Sequence, residues 1–333
     1  MLVNSFYSSV SDPCGISIFN RHLRQALSPL GLDLLETNLT TATGVSPAPL
    51  SVLHYVPSGF ATPETSRALL QLLASREKAD KVFVILHGLH RYGEDRLLDD
   101  TPCPGQEQHI HAILQTAQSI IALSQSAEAT CNTWQKRLGG RASLLRIDHP
   151  GLFEMPARGA VSHGSYALLG GISRSKKNHA ADPIVALLDA CSREGVRVWE
   201  HWTNVPPAAP TAPAWRRTVG FLSDIEWAQL VSDALIVLCP YQTRIQSVSG
   251  LVSEALSAQR RVLSTSFDLT VEMNQRYPDL VTIDDNLKDW PRLIRHLRPA
   301  NAHSATSIPT WGSFAASLAS ELCPDRFRLS MAQ

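Results

Sequence analysis

Short, continuous apolar runs alternate along the whole chain with stretches whose apolar residues recur every three to four positions. That alternation is the signature of parallel strands joined by helices. Over the first half it predicts strands at 2–7, 51–56, 81–87, 119–123 and 144–147, with helices at about 15–28, 63–76, 107–118 and 126–138 between them. The run KVFVIL is apolar and β-branched on successive positions, as a strand buried on both faces must be. The pattern restarts after residue 160, with strands expected at 166–169, 196–202, 218–222, 234–238, 261–264 and 280–283. Between the two halves, 155–164 is rich in small and turn residues and reads as a domain boundary. The proline-rich stretch 204–215 reads as an extended surface loop, because proline fixes φ and lacks a backbone donor. Near the end, Trp311, Phe314, Leu318 and Leu322 fall at helical spacing, which predicts a terminal helix and no further strand. The expectation is an α/β chain of two doubly wound, Rossmann-like domains, 1–158 and 159–308, followed by a helical segment in 309–333.

Composition narrows the function classes without selecting one. A length of 333 residues suits two domains at roughly 150 residues each. Thirty basic and thirty acidic side chains give zero net charge, balanced along the chain, which excludes a strongly basic nucleic-acid binder. With 44% hydrophobic and 18% charged residues the chain is globular and not disordered. The six cysteines, Cys14, Cys103, Cys131, Cys191, Cys239 and Cys323, are scattered and form no C-x-x-C pair. They read as reduced thiols of a cytoplasmic protein and not as a disulfide framework or a zinc site. Neither a basic-then-apolar leader nor an apolar run of the ~18 residues that a membrane span needs is visible. Nothing in the sequence points to an oligomeric state.

In open α/β sheets, ligands bind beyond the carboxyl ends of the strands, so the candidate chemistry should follow strands. Four places qualify. After the first strand, Gly15 stands at a loop-to-helix junction. There it either lets backbone amides approach an anion or sugar or simply shapes a turn. After the buried KVFVIL strand come His87 and His90, and further on His109 and His111. Neither pair has a carboxylate or thiol at ligand spacing, so the reading is no metal, with His87 as a substrate contact. The third place is a strand running into Gly170 and Gly171, then Arg174, Lys176 and Lys177, then a helix. Fixed cations beside a helix N-terminus suit a diphosphate. In the fourth, Ser249 and Gly250 open a helix that carries Glu254 one turn in, where it can hold a ribose diol or merely complement the helix dipole.

Together and in this order, these segments resemble nucleotide-sugar glycosyltransferases of the GT-B fold. They are most similar to retaining family four, in its bacterial polysaccharide and cell-surface branch. CGISIFNRHLRQAL resembles the C-G-I-x-x-[FY]-x-x-x-L-x-x-A-L opening, LHYVPSGF and VILHGL the two acceptor-side segments, and IDHPG the I-P-H-[PG] strand end. GGISRSKKN resembles the G-x-I-R-x-x-K-G phosphate loop, and SDALIVLCPYQTRIQSVSGLVSEALSAQRRVLSTS the donor-site block. The resemblance implies two domains facing a cleft, the terminal helix crossing back to the first domain, and transfer of a sugar from a nucleotide-diphosphate sugar to a glycan, glycolipid or other hydroxyl. It implies retention, no metal and no cofactor beyond the nucleotide sugar as co-substrate. Residue by residue, it implies that Gly15 and Gly171 approach the donor, that His87 lies near the transferred sugar, and that Arg174 and Lys177 neutralise the leaving diphosphate. It places Gln246, Ser249, Gly250 and Glu254 around the donor sugar and ribose, and His90, Arg91 and Tyr92 on the acceptor side.

The sequence also departs from that pattern. Gln246 stands where many relatives carry the first acid of a Glu-x7-Glu pair, Asn178 follows the lysine in place of glycine, and Gln259 replaces the glycine before the next strand. A neutral Gln246 motivates an alternative, a nucleotide-sugar binding protein with impaired turnover. A second alternative is an epimerase or hydrolase on the same fold, for which Glu94 and Asp95 are the nearby carboxylates. The metal-binding D-x-D motif of the other sugar-transferase fold is absent, since Asp99–Asp100 and Asp284–Asp285 are adjacent pairs. A near-neutral count gives no support for the basic patch that binds membranes.

Overall fold

In the computed structural model the chain divides into two compact units, Met1–His149 with Pro309–Gln333, and Pro150–Ile308. The structure describes residues 1–8, 15–39, 50–75, 81–89, 105–154, 166–172, 181–202, 216–241, 248–297 and 307–324. The division falls after His149, ahead of the 155–164 stretch read as a boundary, which lies outside the described residues.

The first unit is built on strands β1 (Leu2–Tyr7), β2 (Asp33–Asn38), β3 (Leu50–Tyr55), β4 (Lys81–Leu86), β5 (Ser119–Ala122) and β6 (Ser143–Arg146). They pair in parallel in the order β2-β1-β3-β4-β5-β6. Helices α1 (Gly15–Leu27), α2 (Pro63–Ala74), α3 (Gln106–Thr116) and α4 (Gln125–Leu138) connect them. Local signals start the helices: Thr62 accepts a hydrogen bond from the Thr65 amide ahead of Pro63, and Ser124 accepts from the Ala127 amide. One sheet face packs Phe6, Leu53, Tyr55, Val84 and Leu86 against α2, α3 and α4. Helix α1 covers the other.

Among the described strands, β2 is the one the hydrophobic pattern did not predict. Its sequence, DLLETN, buries only Leu34 fully and leaves Leu35 exposed, because it lies at the sheet edge with half its surface in water. The other strands, and helices α1 to α4, form within a few residues of the places the pattern gave them.

The second unit holds β7 (Ala167–Ile172), α5 (Ala181–Arg193), β8 (Val198–Trp202), β9 (Arg216–Val219), α6 (Asp224–Ser232), β10 (Ile236–Cys239), α7 (Gly250–Ser257), β11 (Arg261–Ser264), α8 (Asp268–Arg276), β12 (Val281–Ile283) and α9 (Trp290–His296). Its parallel sheet has the order β12-β11-β10-β7-β8-β9, the 3-2-1-4-5-6 winding of a dinucleotide-binding sheet. Alternate strand residues face opposite sides: Leu168, Val237 and Val262 pack under α6, α7 and α8, while Leu169, Leu238 and Leu263 pack under α5 and α9. Edge strand β9 is held by charge. Arg217 donates to Glu200 Oε2 from Nε at 2.8 Å and from Nη2 at 2.7 Å, and Trp202 Nε1 donates to the same oxygen at 2.9 Å.

The terminal helix forms as α10 (Trp311–Leu322), capped by Thr310, and belongs to the first unit. There it lies on α1, with the Phe19 ring 4.8 Å from Trp311 and 5.7 Å from Phe314. Among the described residues no helix is long and apolar enough to cross a membrane. Burial pushes the Cys131 and Cys191 thiols up to about 12.

Candidate functional site

Each sheet has one point where its winding reverses, between β1 and β3 in the first unit and between β7 and β10 in the second. Helices leave in opposite directions there and open a crevice beyond the strand ends.

At the reversal in the first unit, polar side chains occupy a strand face that is otherwise apolar. His54, on β3, is completely buried, and burial drives its pKa down to about 3, so its imidazole is neutral. Its Nδ1 lies 2.9 Å from Nε2 of His87, which follows β4, and its Nε2 lies 3.2 Å from the hydroxyl of Ser5 on β1. Ser5 in turn donates to Oδ1 of buried Asn20 on α1 at 2.6 Å. Phe19 packs beside this row, its ring 4.6 Å from His87, 5.9 Å from His54 and 5.2 Å from His149. Gly15 is the first residue of α1, and a Cβ there would meet nothing within 4 Å. The described neighbours therefore do not require glycine at this position.

His109 and His111 do not form a pair. Two residues apart on α3 they lie on different faces, His109 buried and His111 exposed. His109 Nε2 is 2.7 Å from the Ser66 hydroxyl, and burial lowers its pKa to about 4. Among the described residues no three His, Cys, Asp or Glu side chains gather in a way that could hold a metal.

At the reversal in the second unit, β7 ends through Gly170 and Gly171, and β10 leads into Pro240 and buried Tyr241. Ser249 is the N-cap of α7, yet its hydroxyl makes no capping bond and instead lies 3.1 Å from Tyr241 Oη. Gly250 is the first helical residue. One turn further, Glu254 is half-buried, and its Oε2 accepts a hydrogen bond from Trp227 Nε1 at 2.9 Å. Trp227, on α6, lies across the end of β7: a Cβ on Gly170 would sit 2.9 Å from Trp227 Cη2. Gly170 is thus required by close packing. The other flank of Trp227 is His201, its ring 5.0 Å away and its Nε2 donating to the Gly220 carbonyl at 2.9 Å. After α7 the chain turns through Gln259 with φ +57°, a left-handed conformation that glycine adopts without strain.

The structure therefore brings Ser249, Gly250 and Glu254 together at one helix mouth, in the same unit as Gly171, and places Gly15 and His87 in the other unit. His90, Arg91, Tyr92, Arg174, Lys177 and Gln246 lie outside the described residues. Sequence reasoning missed His54, Ser5, Asn20 and Trp227. A signal existed for the first two: LVNSFY and SVLHYV carry polar residues within runs buried on both faces, and buried polar groups must find partners. Trp227 gave no such signal, because an aromatic residue on a helix reads as ordinary core.

No protein-family model and no curated protein matches the chain. Solved structures do match along its whole length. WaaG, a glycosyltransferase involved in lipopolysaccharide biosynthesis, superposes with TM-score 0.55 at 12% identity, covering 97% of this chain and 99% of that one. An alpha-glucosyltransferase in complex with UDP gives 0.58 at 10% identity, with 100% and 99% covered. The UDP-GlcNAc 2-epimerase from Methanocaldococcus jannaschii gives 0.56 at 10% identity, with 96% and 99% covered. At such identities the likeness is one of fold: two six-stranded parallel sheets flanked by helices, the two-domain Rossmann-like GT-B fold.

Proposed function

We propose that the protein is a glycosyltransferase that moves a sugar from a nucleotide-diphosphate sugar to a hydroxyl acceptor, a glycan or glycolipid. The observation that carries this reading is the half-buried Glu254 carboxylate, held by Trp227 one turn inside α7 at the winding reversal of the second sheet. A fixed carboxylate there suits a ribose diol, since it can accept from both hydroxyls. The sequence motifs point the same way, and two of the matched structures are described as glycosyltransferases, one of them bound to UDP.

On this reading the second unit takes the nucleotide sugar. Glu254 accepts from the ribose hydroxyls, and Ser249, Gly250 and Gln246 bracket the donor sugar and diphosphate. Arg174 and Lys177 neutralise the diphosphate as it leaves, which is where negative charge grows in the transition state. Gly15 and His87 of the first unit approach the reacting centre, and His90, Arg91 and Tyr92 contact the acceptor. The transfer retains anomeric configuration, with the acceptor attacking from the face the diphosphate leaves. It proceeds without metal, the two cations supplying the leaving-group stabilisation. We place the chain with retaining family four, in cell-surface polysaccharide synthesis at the cytoplasmic side.

The epimerase among the matched structures favours one second reading, rearrangement or hydrolysis of a nucleotide sugar on the same fold. A donor screen separates the two. Transfer gives nucleoside diphosphate release that rises when a sugar acceptor is added and persists in chelator. Epimerisation changes the sugar without acceptor dependence. Loss of release in chelator would refute the metal-free mechanism.

A further inference from the structure

The buried row in the first unit does more than fill space. His54 has both ring nitrogens within hydrogen-bonding distance of partners, Nδ1 toward His87 and Nε2 toward Ser5. A neutral imidazole has one N–H and one acceptor nitrogen, so the two contacts must run in opposite senses. The Ser5 proton decides which. Ser5 Oγ donates to Asn20 Oδ1 at 2.6 Å, and a carbonyl oxygen can only accept. Ser5 therefore accepts from His54, the His54 proton sits on Nε2, and His54 Nδ1 carries the lone pair. His87 then donates from Nε2 into that lone pair.

We propose that His54 is a positioning residue for His87: a buried, neutral imidazole that accepts the His87 Nε2 proton, fixes that ring's orientation, and makes Nδ1 the nitrogen through which His87 accepts a hydrogen bond or a proton.

Charge supports the same direction. If His87 takes up a proton, both its nitrogens become donors, and Nε2–H still finds the His54 acceptor. Protonation at Nδ1 thus leaves the buried row intact. The reverse arrangement would have His54 donate to His87, and protonating His87 would then set two N–H groups against each other in an apolar site. It would also need the Asn20 amide turned over, its nitrogen donating to Ser5. Burial keeps His54 itself neutral, since its pKa lies near 3. His87 is further confined edge-on to Phe19, with ring centroids 4.6 Å apart and planes at 86°, so ring flips are hindered from that side as well.

The proposal concerns the same His87 that the functional reading places near the transferred sugar, and its catalytic consequence rests on that reading. The hydrogen-bond direction does not, and it is measured separately. Two-bond 1H–15N correlation spectra of the intact chain with 15N-labelled histidine report which nitrogen of each ring is protonated. The expected result is a neutral Nε2–H tautomer for His54 throughout pH 5–8 and Nε2–H for neutral His87. An Nδ1–H tautomer for His54, or titration of His54 near its ordinary value, would overturn the proposal. Two variants extend the test. His54→Phe keeps a ring and removes both nitrogens; His87 should become a tautomer mixture, and kcat for the nucleotide sugar should fall about tenfold or more with KM nearly unchanged. His54→Asn, which can return an acceptor near the Nδ1 position, should recover most of that loss. Should His54→Phe not fold, Ser5→Ala removes the acceptor for His54 Nε2–H and should shift His54 toward Nδ1–H. If His87 keeps a single Nε2–H tautomer in these variants, His54 does not position it. If no nucleotide sugar is turned over by the wild-type chain, the functional reading fails while the spectra still decide the role of His54.

Discussion

The indole nitrogen of Trp227 lies 2.9 Å from Oε2 of Glu254, so a helix preceding β10 fixes a carboxylate on the helix that follows it. A half-buried carboxylate without that donor would have several rotamers to choose from. With it, one oxygen is anchored and the other is set in place. Trp227→Phe deletes the N–H together with the outer edge of the indole, whose Cη2 lies over Gly170. It should weaken binding of a uridine nucleotide by about tenfold, the worth of roughly one charge-assisted hydrogen bond. Titration calorimetry checks this, and unchanged affinity would mean that Glu254 does not need Trp227.

Two buried histidines make the fold acid-sensitive. Burial lowers His54 to about 3 and His109 to about 4, against 6.5 for an ordinary imidazole. As pH falls below 6.5 the unfolded chain takes up protons that the folded chain refuses. The stability these groups contribute is thus whole above about pH 6.5 and declines on acidification, by up to about 1.4 kcal/mol per pH unit for each histidine. Urea unfolding at pH 7, 6 and 5 should show a steeper loss for wild type than for His109→Gln. Equal slopes would contradict the account.

Gln259 holds φ at +57°, where a side chain costs about 1 kcal/mol or more relative to glycine, partly offset by the greater entropy glycine has when unfolded. Gln259→Gly should therefore stabilise the protein by about 0.5–1 kcal/mol, read as a rise in thermal midpoint. A fall would show that the Gln259 side chain contributes more than its backbone strain costs. The resemblance had placed a glycine at this position.

How far the sequence carried depends on what each signal rests on. KVFVIL announced a central strand because both faces are buried, whereas DLLETN gave no sign of β2 because an edge strand needs only one buried side chain, Leu34. The terminal helix was legible from Trp311, Phe314, Leu318 and Leu322, all of which are buried. Single positions beyond strands, Gly15, His87 and Glu254, could be picked out as candidates because ligands of open α/β sheets gather at strand ends. Their partners were not. His54 and Trp227 are 33 and 27 residues from the groups they touch, and only the order of strands and helices brings them together. Gly170 shows the converse: its glycine pair read as a phosphate loop, while the structure gives this residue a packing reason in Trp227.

The central claim is that the second unit holds a nucleotide sugar by its ribose and diphosphate. Calorimetric titration of uridine, guanosine, adenosine and thymidine diphosphates into the intact protein tests it most directly, with Glu254→Ala and the double variant Arg174→Ala/Lys177→Ala alongside. The account predicts saturable binding of at least one of these nucleotides, weakened about tenfold or more in each variant while the thermal midpoint stays close to wild type. Binding of none of them, or binding indifferent to all three substitutions, would contradict it.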